Sequence, residues 1–196
     1  MKALFIGSHV DDCNLSCGGT ISRLIREGNE VWVVSLSREY TLGDLTEEFE
    51  ASMLELGVHN YVVHKFETRN FSDHRNEILQ TLFMLKEVGF DYVYTHSAND
   101  FHSDHATVGR ESLRAFKHSN LLTYTGSWNT RCQAKNYFVT LDNVDVVKKM
   151  KSCELFKSQS NMPYMNKDNI VGELSVNGLM CGSRYAEAFE IINYTL

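Results

Sequence analysis

Two short clusters, His9-Val10-Asp11-Asp12 near the start of the chain and His102-Ser103-Asp104-His105 in its middle, hold the residue types from which hydrolytic metal sites are made. Together they offer two imidazoles and a carboxylate for one metal ion, with a second carboxylate and a third imidazole left for proton transfer. Three mixed His and carboxylate ligands with one open position describe a catalytic zinc site, whereas structural zinc usually has four ligands and favours cysteine. Water on such an ion has its pKa lowered towards about 7, so hydroxide becomes available at neutral pH. The spacings suit this chemistry. His102 and His105, three apart on an entering helical turn, share a face, so one can bind the ion while the other reaches the substrate. His9 and Asp12, three apart in a tight loop, converge likewise and leave Asp11 directed at the water. Taken singly, each cluster has a bland explanation: Asp-Asp after a strand is often a cap or a turn, and most lone H-x-x-H turns bind nothing. Their joint occurrence is what favours a site.

The elements that must position these residues are legible as alternating apolar strands and helical patterns. Ala3 to Ile6 reads as a buried strand, closed by Gly7-Ser8, with helical spacing from Thr20 to Glu27. Val31 to Leu36 is a second strand, followed by a helix opened by Thr46 and stopped by Gly57. Tyr61 to Phe66, a helix over Asp73 to Val88, and Asp91 to Thr95 give a third strand, a helix and a fourth strand, with a helix over Asp104 to Lys117 after it. Leu121 to Tyr124 and Tyr137 to Thr140 read as strands, Asn143 to Phe156 as a helix and Phe189 to Ile192 as a short terminal strand. This alternation predicts a single α/β domain over 1–196, with a Rossmann-like, mostly parallel sheet covered by helices on both faces. In such a sheet the strand order reverses beside the first strand, so the first and fourth strands are neighbours and their C-terminal ends open into one crevice. Each cluster lies just beyond one of those two ends, and the fold rules alone bring them together.

Composition excludes several classes. With 25 acidic against 19 basic residues and no Lys/Arg run, there is no electrostatic case for nucleic acid or an anionic membrane surface. The segment Met1 to Ser8 is too short for a signal-peptide core, and no stretch approaches ~18 apolar residues, so no membrane insertion and a cytoplasmic location are expected. Five cysteines, at 13, 17, 132, 153 and 181, form neither a disulfide framework nor paired C-x-x-C elements; Cys13 and Cys17 read as small buried residues beside the site. Gly18-Gly19-Thr20 reads as close helix packing rather than a phosphate cradle, because the full G-x-G-x-x-G and P-loop patterns are absent. Histidines 59, 64, 74, 96 and 118 read as surface or strand-end residues, His96 being near enough to the second cluster to sit behind it. Pro163, the single proline, lies in a looser stretch suited to framing a binding mouth.

The chain resembles the PIG-L/LmbE-like zinc de-N-acetylases, which remove acetyl groups from N-acetylglucosamine-type substrates. The family's A-H-P-D-D-E-x-x-x-G-C-G-G-T-I is similar to Ser8-His9-Val10-Asp11-Asp12-Cys13 running on to Ser16-Cys17-Gly18-Gly19-Thr20-Ile21, and its D-x-H-x-D-H-x-x-V-G to Asp100 through Gly109. Weaker similarity continues through Ser158-Gln159 and Tyr185 to Phe189. The resemblance implies that His9, Asp12 and His105 bind one zinc ion per chain and that Asp11 is the general base on the metal-bound water. It further implies that His102 stabilises the oxyanion or protonates the leaving amine, and that Asp104 orients a histidine. Three positions depart from the family: Val10 stands for a proline, Cys13 for a glutamate, and Leu45 near the place of an arginine. Arg38, Arg69 and Arg75 are the candidates for the missing positive charge, and no substrate-binding residue is assigned.

The expected partner is a small-molecule or glycoconjugate amino sugar, and a homo-oligomer is compatible with the chain. Two rivals stay open. One is a non-catalytic carbohydrate- or nucleotide-binding protein on the same fold, against which the presence of both Asp11 and His102 argues. The other is an amidase acting on a different sugar conjugate, with the same machinery and another pocket.

Overall fold

The computed structural model describes residues 1–40, 43–130 and 133–195. A seven-stranded sheet, in the order β5-β2-β1-β6-β7-β9-β8, forms its centre. The strands are β1 (Lys2–Gly7), β2 (Glu30–Ser35), β5 (Asn60–Val63), β6 (Tyr92–His96), β7 (Asn120–Tyr124), β8 (Tyr137–Thr140) and β9 (Ala186–Asn193). The first five in the sheet order are parallel; β9 runs antiparallel to both β7 and β8. A two-stranded ribbon, β3 (Glu39–Tyr40) with β4 (Gly43–Asp44), stands outside the sheet. The helices are α1 (Asp12–Arg26), α2 (Thr46–Leu56), α3 (Arg75–Lys86), α4 (Ser103–Ala115), α5 (Asn143–Glu154) and α6 (Lys167–Cys181).

The unbroken apolar run at the start follows from burial on both faces, since successive side chains in a strand point to opposite sides. Ala3 and Phe5 join Val33, Ile21 of α1 and Phe49 and Met53 of α2 in one core. Leu4 and Ile6 join Val34, Ile78 and Leu82 of α3 and Val108 of α4 in the other. The expected α/β architecture is therefore the observed one, and β1 does pair with β6, placing the strand-order reversal between them.

The β3–β4 ribbon has no counterpart in the sequence reading, and three further elements differ from it. Helix α1 begins at Asp12, not Thr20, so Gly18 and Gly19 lie inside it. A Cβ on Gly19 would fall 2.3 Å from Leu141 Cδ1 and 3.1 Å from Glu187 Oε1, so these glycines serve close packing and do not mark a helix start. Their neighbourhood offers no phosphate cradle, because the Gly19 and Thr20 N–H groups already donate to the Glu187 carboxylate at 2.9 and 2.6 Å. Helix α6 has no counterpart in the sequence reading. It buries Ile170 and Leu174 yet exposes Val176, Leu179 and Met180, so no apolar stripe shows its period. Strand β9 is longer than its apolar portion because it pairs on both sides. Cys13, Cys17 and Cys153 are buried free thiols and Cys181 is half-buried; Cys132 lies outside the described residues. Among the described residues, no helix is long and apolar enough to cross a membrane.

Candidate active site

The loop after β1 and the segment between β6 and α4 meet at the C-terminal edge of the sheet. Each is tied down locally. The His9 N–H donates to Asp12 Oδ2 at 2.7 Å, curling the first cluster into a tight loop. Gly109 lets α4 lie directly on the end of β6: a Cβ there would come 2.7 Å from the His96 carbonyl oxygen and 2.8 Å from the Ala98 nitrogen.

Donor atoms of three residues converge between the loops. His9 Nδ1 lies 3.2 Å from His105 Nε2 and 3.5 Å from Asp12 Oδ2, and His105 Nε2 lies 3.3 Å from Asp12 Oδ1. Ligands at about 2.0–2.1 Å from a tetrahedral zinc stand about 3.3–3.4 Å apart, close to these separations, with Asp12 turning Oδ2 to His9 and Oδ1 to His105. Other groupings of this cluster, His9 with His102 and His105 or Asp12 with His96 and His105, are also compact enough to hold a cation. The outward nitrogens of His9 and His105 are both occupied. His9 Nε2 faces Asp104 Oδ2 at 3.1 Å and His105 Nδ1 faces Asp100 Oδ2 at 3.1 Å, which fixes both rings with the opposite nitrogen inward.

Those two carboxylates are themselves held. Asp104 accepts the Arg69 N–H at 2.7 Å and the Phe71 N–H at 3.4 Å, and Asp100 accepts the His102 N–H at 2.8 Å. Arg69 reaches Asp104 from a left-handed backbone, φ 71°. Asp100 is the site residue that sequence reasoning left unassigned; His96, read as a strand-end residue able to sit behind the second cluster, does stand at the site. His96 is buried with Nε2 3.1 Å from Asp12 Oδ2 and 3.1 Å from the Ser8 nitrogen. The signal that finds Asp100 is the need of each histidine ligand for a partner on its other nitrogen.

The electrostatics favour a cation. Burial alone would lower His9 and His105, but hydrogen bonds and charge from Asp104 and Asp12 hold His9 up at about 9, and Asp12 and Asp100 hold His105 up at about 10. Burial works to raise Asp12, yet His105 and His96 keep it well below the usual carboxylate range. Asp11, next door, goes the other way: burial and then the Asp12 charge push it up to about 6. It occupies the N-cap position of α1 in a helical conformation and makes no capping bond, so the bland explanation of this carboxylate as a cap does not hold.

His102 caps α4, its Nδ1 accepting the Asp104 N–H at 3.2 Å. Its ring stacks on His105 at 4.5 Å and meets the edge of His9 at 4.9 Å. Burial, then the charges of His105 and His9, lower it to about 4. At neutral pH it is therefore an uncharged donor through Nε2–H, not an imidazolium.

A cavity of about 310 Å³ opens on these residues, lined by His9, Asp11, Asp12, His102 and His105 and, at its rim, Arg69. Of the three arginines considered for the missing positive charge, Arg75 pairs with Glu111 at 2.8 Å and Arg38 lies 3.3 Å from Asp44; Arg69 alone of the three lines the cavity. Glu48 of α2 accepts the Ser158 N–H at 3.0 Å and the Ser158 hydroxyl at 2.6 Å, which sets buried Gln159 in the cavity wall. Val10 and Cys13, the departures from the family pattern, are both buried in the core, and Val10 also lines the cavity.

Solved structures share this fold. The conserved protein TT1542 from Thermus thermophilus is 20% identical, with 99% of this chain and 96% of that one covered at a TM-score of 0.85. The N,N'-diacetylchitobiose deacetylase from Pyrococcus horikoshii is 20% identical over 97% and 83% of the two chains, TM-score 0.81. GalB, the 4-carboxy-2-hydroxymuconate hydratase from Pseudomonas putida KT2440, is 16% identical over 100% and 97%, TM-score 0.79. At these identities the likeness is one of fold. No curated protein sequence matches the chain. The family model described as PIG-L, GlcNAc-PI de-N-acetylase, matches residues 4–116, a span that runs from β1 to just past the end of α4 and carries both clusters. That match covers more than half of the sequence and contains every donor brought together above, and by it the chain belongs to the PIG-L family.

Proposed function

We propose that this protein is a zinc-dependent hydrolase that removes the acetyl group from an N-acetylated amino sugar of the N-acetylglucosamine type. The observation that carries this reading is the convergence of His9 Nδ1, Asp12 and His105 Nε2 at 3.2–3.5 Å, beside a carboxylate, Asp11, that no cap consumes. Family membership and the deacetylase of similar fold support the reaction class.

A divalent ion held by His9, Asp12 and His105 would polarise the acetyl carbonyl and acidify the attacking water. Asp11, with a pKa of about 6, accepts a proton from that water as its oxygen attacks the carbonyl carbon. His102 donates Nε2–H to the carbonyl oxygen as negative charge develops on it. Of the two roles considered for His102, oxyanion stabilisation suits it, because a neutral ring with Nδ1 already engaged has no spare proton to give up. Asp11 then returns its proton to the amine nitrogen as the C–N bond breaks, leaving acetate and the free amino sugar. Asp104 and Asp100 act by fixing the rings of His9 and His105.

Equal release of acetate and free amine from N-acetylglucosamine derivatives is expected of the zinc-loaded protein. Turnover of an unsaturated acid by addition of water, with no acetate from any N-acetyl sugar, would instead favour the chemistry of the hydratase that shares the fold.

Metal binding should also release protons. At pH 7 the metal-free site holds His9 and His105 below their pKa values of about 9 and about 10, and an ion must displace protons from the inward nitrogens. Calorimetry in buffers of different ionisation enthalpy should show between one and two protons released per ion. No release would mean that other atoms bind the metal. Because both folded-state values lie above the unfolded 6.5, their contribution to the metal-free protein's stability is complete below about 6.5 and is lost as pH rises through about 9 to 10.

A further inference from the structure

The metal-centre cavity is not the larger one. Trp128 and Tyr164 stack with ring centroids 4.8 Å apart and planes 17° from parallel. This pair and Leu15 line both the metal-centre cavity and a second, adjoining cavity of about 620 Å³, so the two spaces meet at the aromatic pair. The second cavity is walled by the turn after β7, by Pro163 in the stretch expected to frame a mouth, and by Asn169, Ile170, Glu173 and Asn177 of α6. The first cavity lies at the low end of the size range for small-molecule sites. The second adds twice that space to the same opening.

The charges in the second cavity are already paired. Lys149 Nζ donates to Glu187 Oε1 at 2.6 Å and to the Leu15 carbonyl, and Glu187 also accepts the two N–H groups of α1. Glu173 accepts the Ser127 hydroxyl and lies 3.7 Å from Lys135 Nζ. A phosphate or carboxylate entering there would meet no unpaired cation among the described residues that line it. A neutral ring bearing hydroxyls meets apolar walls, an aromatic pair at the entrance and two side-chain amides. Asn169 donates Nδ2 to the Pro163 carbonyl and keeps Oδ1 for a ligand; Asn177 accepts Lys135 Nζ at Oδ1 and keeps Nδ2.

We propose that the second cavity receives the group attached to the amino sugar, and that this group is uncharged and ring-bearing, a further pyranose being the class that fits. Built on the deacetylase reading, this makes the substrate a neutral N-acetylated oligosaccharide, not a phosphate-linked sugar. The aromatic pair forms the junction between the ring that reacts and the ring that does not.

The test compares N-acetylglucosamine, its β-linked disaccharide and N-acetylglucosamine 1-phosphate in the zinc-loaded protein and in Asn169→Trp, which places an indole in the second cavity from an exposed helical position. The disaccharide should exceed both of the others in kcat/KM by roughly tenfold or more, the worth of one or two added polar contacts and the apolar burial beside them. In Asn169→Trp its advantage over the monosaccharide should fall to about one. Equal kcat/KM for mono- and disaccharide in the unmodified protein would overturn the proposal, as would a preference that survives the indole or a preference for the 1-phosphate. Binding of the same three sugars to metal-loaded Asp11→Asn separates this from the deacetylase reading. If no acetate is released from any sugar but the disaccharide still binds tightest, and loses that advantage when Asn169→Trp is added, the cavity assignment stands and the reaction is wrong.

Discussion

Asp11→Asn is expected to keep one zinc ion per chain and to lose roughly 10²–10⁴ in kcat for acetate release, the usual worth of a general base. The amide is nearly isosteric with the carboxylate but cannot take the water proton. Since Asp11 makes no capping bond to α1, its replacement removes no helix cap, and the effect should fall on kcat with little change in KM. The pH profile gives a second reading of the same residue. Asp11 works deprotonated, so the rate should rise with pH through a limb at or below about 6, the cation beside it pulling the value down. That limb should vanish in the variant. A near-normal rate in metal-loaded Asp11→Asn would move the base elsewhere.

His105→Ala is expected to lose the metal outright under conditions where the unmodified protein holds one ion per chain. The substitution removes one of three donors and leaves Asp12 facing His9 and the buried His96, with Asp100 stripped of its imidazole partner. Asp104→Asn and Asp100→Asn should be milder, costing roughly 10–100-fold in affinity, because they loosen a ring without removing a ligand. Competition against a chromophoric chelator ranks all three. Full metal content in His105→Ala would disprove the ligand set, and equal losses in all three would show that the damage is to the fold of the α4 terminus.

Much of the meeting of the two clusters is legible in the sequence. The two clusters met because parallel-sheet topology places β1 beside β6, and that rule depends only on recognising alternating strands and helices. The apolar runs from Ala3 and Val31 carried that signal because both faces of the sheet are covered. What stayed hidden is tertiary. Gly18-Gly19 read correctly as close packing but were set at a helix start, because the sequence does not show that Lys149, Leu141 and Glu187, more than a hundred residues away, press against them inside α1. The period of α6 is masked by apolar residues on its outer side. His96 read as a strand-end residue near enough to sit behind the second cluster, but its contact with Asp12 of the first cluster was not visible in the sequence. The protonation of His102 was equally beyond sequence: a histidine near carboxylates suggests an imidazolium, but two neighbouring histidines that hold protons or metal make it neutral. Nor does the sequence show that Arg38 and Arg75 face their own carboxylates while Arg69 lines the cavity.

The most direct test of the central claim is a titration of metal-free protein with zinc, following acetate release from an N-acetylated amino sugar and bound metal in the same samples. If His9, Asp12 and His105 hold the ion that enables hydrolysis, activity should rise from near zero in proportion to bound metal and level off at one ion per chain. Acetate release that proceeds undiminished in the metal-free protein, or that stays absent when one ion per chain is bound, would contradict it.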